Sequence, residues 1–167
     1  GSKQMEDYIT SGINNPVDLV VDKNGNMYVS QGGSSTIKKI VLNTRAVSNF
    51  VTSCLGNVQG LFMSKDNDLY AVDYSNRKVV KYTNCVASAI SDVLSGLDDQ
   101  FNYGTQPYDF AMDTLGNSYI LLCGYPSHGA GTMNNVFAFI YKYPASGGPR
   151  ELVNSMVNQY NYIIVDK

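Results

Sequence analysis

The chain has 167 residues, of which 44% are apolar and 16% are charged, and its formal net charge is -2. This length suits one domain, and an apolar fraction of this size can form a core, which argues against intrinsic disorder. The chain has 12 Lys and Arg against 14 Asp and Glu, which argues against a nucleic-acid binder that works by bulk electrostatics. Because the sequence has no apolar run of about 18 residues, it predicts no membrane-spanning helix.

The ends and the cysteines carry little functional information. Gly1 and Ser2 are interpreted as the remnant of an expression tag and are left out of the fold. The cysteines Cys54, Cys85 and Cys123 are widely spaced and form no C-x-x-C pattern. Their odd number and spacing favour free thiols over a metal site, and the alternative is one disulfide with a third, free thiol.

One segment of the sequence recurs along the chain. Its three full copies are residues 16–29, 58–71 and 107–120, and a fourth copy begins at residue 161. The copies lie about forty to fifty residues apart, a period that is typical of one supersecondary unit per repeat. The chain is therefore predicted to be a repeat protein.

In chain order, each unit begins with two predicted strands. The first is an apolar run, as expected of a strand that is buried on both faces, and its copies are residues 19–21, 61–63 and 110–112. A polar turn with Asn and Gly follows, which favours antiparallel pairing with a second strand. The second strand carries a tyrosine at the same position in each unit: Tyr28, Tyr70 and Tyr119.

Two more strands complete each unit. The third strands are predicted at 36–42, 78–83 and 136–143, and the fourth strands at 46–52, 87–94 and 150–156. The apolar third strand of the third unit indicates either packing between units or a surface that a further unit covers. Four antiparallel strands repeated at this period are typical of a propeller blade. The sequence thus predicts an all-β fold, a β-propeller of four-stranded antiparallel blades with about three blades present, as a partial ring or half of an assembled ring.

The repeated phrase resembles the NHL repeat. In order, the phrase contains Pro, any residue, Asp or Gly, an apolar stretch, Asp, two further residues and Gly-Asn-x-Tyr. After the first copy and a short loop, the sequence continues with Ile37-Lys38-Lys39-Ile40. The NHL repeat belongs to a wider group that includes gluconolactonase-like and strictosidine-synthase-like six-bladed propellers. The third position departs from the expected glycine at Asp18, Asp109 and Tyr162 and keeps it at Gly60. Members of this group bind proteins, bind RNA or act on small molecules, so the resemblance implies the fold without choosing a function.

The predicted domain organisation is one partial propeller over residues 3–167. Its parts are a leading outer strand at 5–11, blades at about 13–53, 57–95 and 106–156, and the start of a fourth unit at 160–167. Because propellers generally close with four to eight blades, two explanations are expected. The sequence is a piece of a longer propeller, or two arcs associate; the first is favoured because Lys167 falls where the next Asn-Gly-type turn should come.

Two long insertions in the third unit predict a binding surface. Residues 96–106 and 123–135 should emerge on the same face of the propeller, where repeat proteins often carry function. The candidate residues are Asp98, Asp99, Phe101, Tyr103, Tyr108, Tyr125 and His128. The aromatic residues are chosen because tyrosine is enriched at binding surfaces. The alternative is that these insertions pack only on themselves.

The sequence predicts no catalytic residue, metal ligand or cofactor. His128 is the only histidine, so a Ser-His-Asp triad or a multi-histidine metal site has almost no material. Calcium is an alternative, because hard cations take oxygen ligands and Asp98 and Asp99 form an acidic pair. The repeated Asp22, Asp113 and Asp166 are interpreted as turn residues that hydrogen-bond their local backbone.

The predicted function is therefore a non-catalytic binding or scaffolding module. Its expected partners are a protein or small-molecule ligand on the loop face, together with the remainder of the propeller or a second copy, and neither a membrane nor a nucleic acid is favoured. The alternative is part of a metal-dependent lactonase- or lyase-type propeller enzyme whose remaining ligands lie outside this sequence.

Overall fold

The computed structural model describes residues 8–9, 11–52, 55–88, 90–97, 105–124 and 137–157. The first sheet contains β1 (Pro16–Val21), β2 (Asn26–Gln31), β3 (Ile37–Val41) and β4 (Ala46–Val51). The second contains β5 (Val58–Met63), β6 (Leu69–Asp73), β7 (Lys78–Tyr82) and β8 (Ile90–Leu94). The third contains β9 (Gln106–Met112), β10 (Ser118–Gly124), β11 (Phe137–Tyr143) and β12 (Glu151–Val157).

The three sheets have the same topology. In each, consecutive strands are antiparallel neighbours, and the three copies of the repeated segment form the first hairpin of their sheets. A single 3-10 turn, Thr83–Cys85, is the only helical element among the described residues. The predicted all-β fold of four-stranded antiparallel propeller blades is confirmed, and the sheets are the first, second and third blades below.

A set of hydrogen bonds to Asp22 closes the first hairpin of the first blade. One Asp22 carboxylate oxygen accepts from the backbone N–H groups of Asn24 (2.9 Å) and Asn26 (2.8 Å). The other oxygen accepts from the Asn26 side chain at 2.8 Å and from the Tyr28 hydroxyl at 3.2 Å. Gly25 has a φ of 76°, a conformation that suits glycine. The recurring Asp, Gly, Asn and Tyr therefore form one turn motif.

The third blade repeats this turn. Asp113 accepts from the backbone of Leu115 (3.0 Å) and Asn117 (2.9 Å), from the Asn117 side chain (2.7 Å) and from the Tyr119 hydroxyl (3.2 Å). The prediction that Asp22 and Asp113 are turn residues is confirmed. In the second blade Ser64 replaces the aspartate and its hydroxyl accepts from the Asp68 N–H at 3.1 Å.

Another aspartate connects the inner strands of the first and second blades. Asp18 accepts from its neighbour Leu19 (2.7 Å) with one oxygen and from Leu61 in β5 (2.7 Å) with the other. At the equivalent position of β5, an added Cβ on Gly60 would lie 2.7 Å from an Asp109 oxygen and 2.8 Å from the Tyr108 carbonyl. Glycine is therefore required at position 60 because β9 approaches β5 closely there.

Asp22 and Asp18 should give opposite pH dependences. Burial would raise the pKa of Asp22, but its hydrogen bonds from Asn26, Asn24 and Tyr28 outweigh burial and hold the pKa below 3.8. Burial raises the pKa of Asp18 above 3.8, and its backbone hydrogen bonds offset this only in part. Asp22 therefore stabilises the fold above pH 3.8 and loses this contribution as the pH falls through its folded pKa. The contribution of Asp18 is greatest below pH 3.8 and is lost as the pH rises through its folded pKa.

We expect urea denaturation between about pH 2 and 6 to show this difference. Relative to the parent protein, Asp22→Asn should lose less stability on acidification, whereas Asp18→Asn should lose more. Each variant serves as the control for the other, because both replace a hydrogen-bonded aspartate in the same blade. Parallel pH profiles for the two variants would contradict the assignment.

Two apolar clusters hold neighbouring blades together. The first junction, between the first and second blades, contains Tyr28, Ile37, Leu55, Val58, Leu61, Leu69, Ala71, Val80 and Tyr82. The second junction, between the second and third blades, contains Tyr70, Val72, Val79, Leu97, Phe110, Ile120, Leu122, Phe139 and Tyr141. Alternate residues of β6 enter the two clusters, so the second blade is apolar on both faces.

The first blade differs from the other two on the side that faces away from the second blade. Leu61 in β5 and Phe110 in β9 are 5% and 2% exposed, but Leu19, their equivalent in β1, is 55% exposed. Val17 and Val21, two further apolar residues of β1, are 46% and 45% exposed. The prediction that every first strand is buried on both faces is therefore wrong for β1. We call Val17, Leu19 and Val21 the β1 stripe.

The apolar strand β11 packs inside the molecule. Phe139 and Tyr141 belong to the second junction, and Ala138 is buried with Leu121 and Cys123 in a smaller cluster. Of the two interpretations of this strand, the described residues support packing. The predicted fourth unit at 160–167 and most of the predicted strand at 5–11 lie outside the described residues.

Candidate functional site

The loops between second and third strands lie beside the segments that enter each blade. The Gly32 N–H donates to the Asn15 carbonyl at 2.8 Å, and the Tyr74 N–H donates to the Asn57 carbonyl at 2.8 Å. The prediction that these two kinds of connection emerge on the same face is therefore confirmed for the first two blades. We call this side of the molecule the loop face.

Of the seven predicted site residues, the structure places Tyr108. It lies in β9 and is half-buried. The other six lie outside the described residues: Asp98, Asp99, Phe101, Tyr103, Tyr125 and His128. The predicted surface therefore stays a prediction, and its described part is the neighbourhood of Tyr108.

Tyr108 forms an aromatic pair with Tyr74 across the boundary between the second and third blades. The ring centroids are 5.3 Å apart and the ring planes meet at 89°, an edge-to-face arrangement. Tyr74 directly follows β6, so the loop of the second blade presents it on the loop face. Both tyrosines are half-buried. Sequence reasoning missed Tyr74, although its place just after the second strand is a usable signal.

Gln106 joins the same two blades beside this aromatic pair. In the amide orientation that satisfies both of its polar atoms, the Gln106 nitrogen donates to the Tyr74 carbonyl at 2.7 Å. The Gln106 oxygen accepts from Nε and Nη2 of Arg77, each at 3.2 Å. This neutral side chain therefore fixes one edge of a guanidinium group without neutralising its charge.

The backbone of Arg77 is also held in place. Its φ is 50°, a left-handed conformation that costs a residue with a side chain about 1 kcal/mol or more. Its carbonyl accepts from the Leu97 N–H at 3.0 Å, which connects the loop to the segment leading toward the third blade. Strained backbone of this kind persists where the surrounding contacts determine it.

A buried carboxylate supports the loop that carries Tyr74 and Arg77. Asp73 is fully buried at the end of β6. Both of its oxygens accept from the Gly56 N–H at 3.1 Å. They also accept from the Asn76 backbone at 3.2 Å and from the Asn76 side chain at 2.7 Å. Asp73 therefore connects the loop to the segment that enters the second blade.

The described thiols do not suit nucleophilic chemistry. Cys85 and Cys123 are free cysteines, and Cys54 lies outside the described residues. Burial raises the pKa of Cys123 to about 11 and is the largest of the effects that raise the pKa of Cys85. A thiol of raised pKa remains protonated at neutral pH, and the thiolate is the reactive form. Over the same described ranges, no group of three His, Cys, Asp or Glu side chains is arranged to hold a metal ion.

The fold defines the class of protein, a β-propeller, and solved propeller structures resemble it. The selenomethionine-substituted virginiamycin B lyase of Staphylococcus aureus has a TM-score of 0.52 and 14% identity over 83% of this chain and 55% of that chain. A chain of the nidogen/laminin complex has a TM-score of 0.58 and 14% identity over 84% of this chain and 48% of that chain. A streptogramin B lyase has a TM-score of 0.56 and 14% identity over 88% of this chain and 57% of that chain.

These similarities concern the fold. The chain spans about half the length of the solved structures that it resembles, and sequence identity is low throughout. No family model matches the sequence, and a search of curated proteins found no significant match. The neighbours include lyases and a chain from a protein complex, so the similarity does not select one function. Within the described part of the chain, no helix has the length and apolar character of a membrane span.

Proposed function

We propose that this chain is an NHL-like partial propeller that acts as a non-catalytic binding module through its loop face. The single observation that carries the proposal is the Tyr74–Tyr108 pair, which is half-buried and spans two blades. Tyrosine contributes large contact area with few rotatable bonds, and it is enriched at protein interfaces. The similarity to a chain of the nidogen/laminin complex is consistent with a protein partner.

The binding surface extends beyond this pair in the proposal. Asp98, Asp99, Phe101, Tyr103, Tyr125 and His128 belong to the two insertions of the third unit, whose described ends meet the loop face. Gln106 and Tyr108 follow the first insertion directly in β9, and Gly124 precedes the second at the end of β10. These insertions would surround the Tyr74–Tyr108 pair and supply most of the contact area.

Ring completion is the second part of the proposal. Leu19 of the β1 stripe is 55% exposed, although its equivalents Leu61 and Phe110 are buried against the preceding blade. We assign the stripe to the contact with a further blade, which comes from a longer form of this chain or from a second copy. This chain covers 55% and 57% of the two lyase propellers that it resembles, which supports this assignment.

The binding proposal is tested by comparing two faces of the same blade. Tyr108→Ala should weaken binding of a purified protein partner by about tenfold or more, because tyrosines that a partner buries are frequent hot spots. Leu115→Ala is the matched control, since Leu115 lies in the β9–β10 turn at the opposite end of the blade and is 79% exposed. Partner candidates from an extract of the source cells are purified, and their affinity for each variant is measured by calorimetry. Equal affinities for the parent, Tyr108→Ala and Leu115→Ala would contradict binding through the loop face.

An enzyme is the alternative, because two of the neighbouring structures are lyases, one named for virginiamycin B and the other for streptogramin B. A metal-dependent reaction would need ligands from outside the described residues, since these contain no metal-binding cluster. Titration with calcium or zinc separates the two functions. Stoichiometric binding of one ion would favour the enzyme over the binding module.

A further inference from the structure

We propose that Arg77, held by Gln106 at the same blade boundary as the Tyr74–Tyr108 pair, is a subsite for a carboxylate group of the ligand that binds the loop face. This inference deepens the proposed function, on which it rests, by assigning a chemical class to one part of the ligand. The subsite lies at the boundary of the second and third blades, and each blade contributes two of the four side chains.

The geometry of the guanidinium group supports an anionic ligand. Gln106 occupies the edge formed by Nε and Nη2 of Arg77, with both distances at 3.2 Å. The other edge, formed by Nη1 and Nη2, keeps the two parallel N–H groups that match a carboxylate. The Gln106 amide therefore orients the Arg77 guanidinium fork and leaves its Nη1–Nη2 edge to another group.

The charge of Arg77 is not neutralised within the part of the chain that the structure describes. The ion pairs found there join Lys78 to Asp92, Lys81 to Asp68 and Lys142 to Glu151, and none includes Arg77. Arg77 is half-buried, so its charge acts with less screening than a fully exposed charge would have. A cation that is oriented by a neutral group and partly shielded from water attracts an anion.

The two aromatic rings add a second element of recognition. Tyr74 supplies both the carbonyl that fixes Gln106 and a ring that packs against Tyr108. An acidic side chain or a chain terminus of a peptide presents a carboxylate next to apolar carbon atoms. Such a group would place its carboxylate on the Arg77 fork and its carbon atoms against the exposed parts of the rings.

The test uses a pair of small probes with the intact protein. The glutamate derivative, N-acetyl-L-glutamic acid α-amide, carries one carboxylate, on its side chain, and the glutamine derivative, N-acetyl-L-glutamine α-amide, has nearly the same size and shape without a charge. The chain has three arginines, Arg45, Arg77 and Arg150, so the side-chain Nε–H signal of each can be followed by NMR. Arg45 and Arg150 lie over the rings of Tyr8 and Tyr141 and serve as internal controls.

The glutamate derivative should shift the Arg77 signal and the ring signals of Tyr74 and Tyr108 in a saturable manner, with a dissociation constant on the order of 1–10 mM. The glutamine derivative should bind at least about tenfold more weakly, because it forms no charge-assisted pair. Added salt should weaken the first interaction. Equal shifts from the two probes, or larger shifts at Arg45 or Arg150 than at Arg77, would overturn the proposal.

Two substitutions sharpen the result. Arg77→Lys keeps the charge but loses the fork and should weaken binding by about tenfold, whereas Arg45→Lys should leave binding unchanged. Gln106→Glu places a carboxylate on the occupied edge and should abolish binding, and circular dichroism checks that the variant folds. An Arg77→Lys variant that binds like the parent protein would overturn the proposal.

The carboxylates of Asp98 and Asp99 are the remaining alternative to a ligand as the partner of Arg77. If Asp98 or Asp99 occupies the Arg77 fork, the parent protein will give no shift, whereas Asp98→Asn/Asp99→Asn will bind the glutamate derivative. That outcome would replace the ligand with an internal ion pair and overturn the proposal. The titration needs no protein partner, so it can fail while Tyr108→Ala still weakens partner binding, and the two proposals are tested separately.

Discussion

Phe110→Ala is expected to lower the free energy of unfolding by about 3–5 kcal/mol, the usual cost of removing a buried phenylalanine. Phe110 is 2% exposed in the second junction. Its ring stacks on Tyr70 at a centroid distance of 5.2 Å and meets the edge of Phe62 at 5.7 Å. The alanine variant would leave a cavity between two sheets that contact each other through this cluster. Urea denaturation followed by circular dichroism measures the change.

The repeat provides a matched control for this experiment. Leu19 occupies the equivalent position in β1 and is 55% exposed, so Leu19→Ala should change the free energy of unfolding by less than about 1 kcal/mol. A small effect of Phe110→Ala would contradict the assigned junction. A large effect of Leu19→Ala would show that the β1 stripe is covered in solution.

Asp73→Ala is expected to lower the free energy of unfolding by about 2–3 kcal/mol, because it leaves hydrogen-bond donors without their acceptor. Asp73 is fully buried and accepts from the Gly56 N–H and from two donors of Asn76. The substitution should also release the loop that carries Tyr74 and Arg77. Denaturation in urea reports the stability, and the ring signals of Tyr74 in NMR spectra report the loop.

Asp92→Ala is the control for Asp73→Ala. Asp92 pairs with Lys78 at 3.1 Å, but its side chain is 56% exposed. Exposed ion pairs contribute about 0.5 kcal/mol or less, so this variant should stay close to the parent protein in stability. Similar losses for the two variants would mean that Asp73 has no special supporting role.

Local sequence patterns predicted the blades well because each one is closed by contacts that are near in sequence. The spacing of Asp22, Gly25, Asn26 and Tyr28 already specifies a hairpin turn, and the structure joins three of these residues in one hydrogen-bonded motif. The recurrence of the motif then predicts equivalent sheets. A continuous apolar run, such as Leu69 to Val72 in β6, is typical of a strand that is buried on both faces.

The candidate site was harder to predict because it depends on how two blades meet. Tyr74 and Arg77 are about thirty residues from Gln106 and Tyr108, and no local pattern links the two pairs. The left-handed backbone of Arg77 is also invisible in the sequence, since arginine has no preference for that conformation. The exposure of the β1 stripe could not be predicted from the sequence either, because Leu19 has the same sequence pattern as the buried Leu61.

The order in which the three blades contact each other determines how damage spreads through the molecule. In the described residues, the first and third blades each join the second blade through an apolar junction. For repeated units that contact only their neighbours, the stability is approximately the sum of the units and their nearest-neighbour contacts. Among the described contacts, a lesion in the first or third blade therefore removes one junction, whereas a lesion in the second blade weakens both junctions at once.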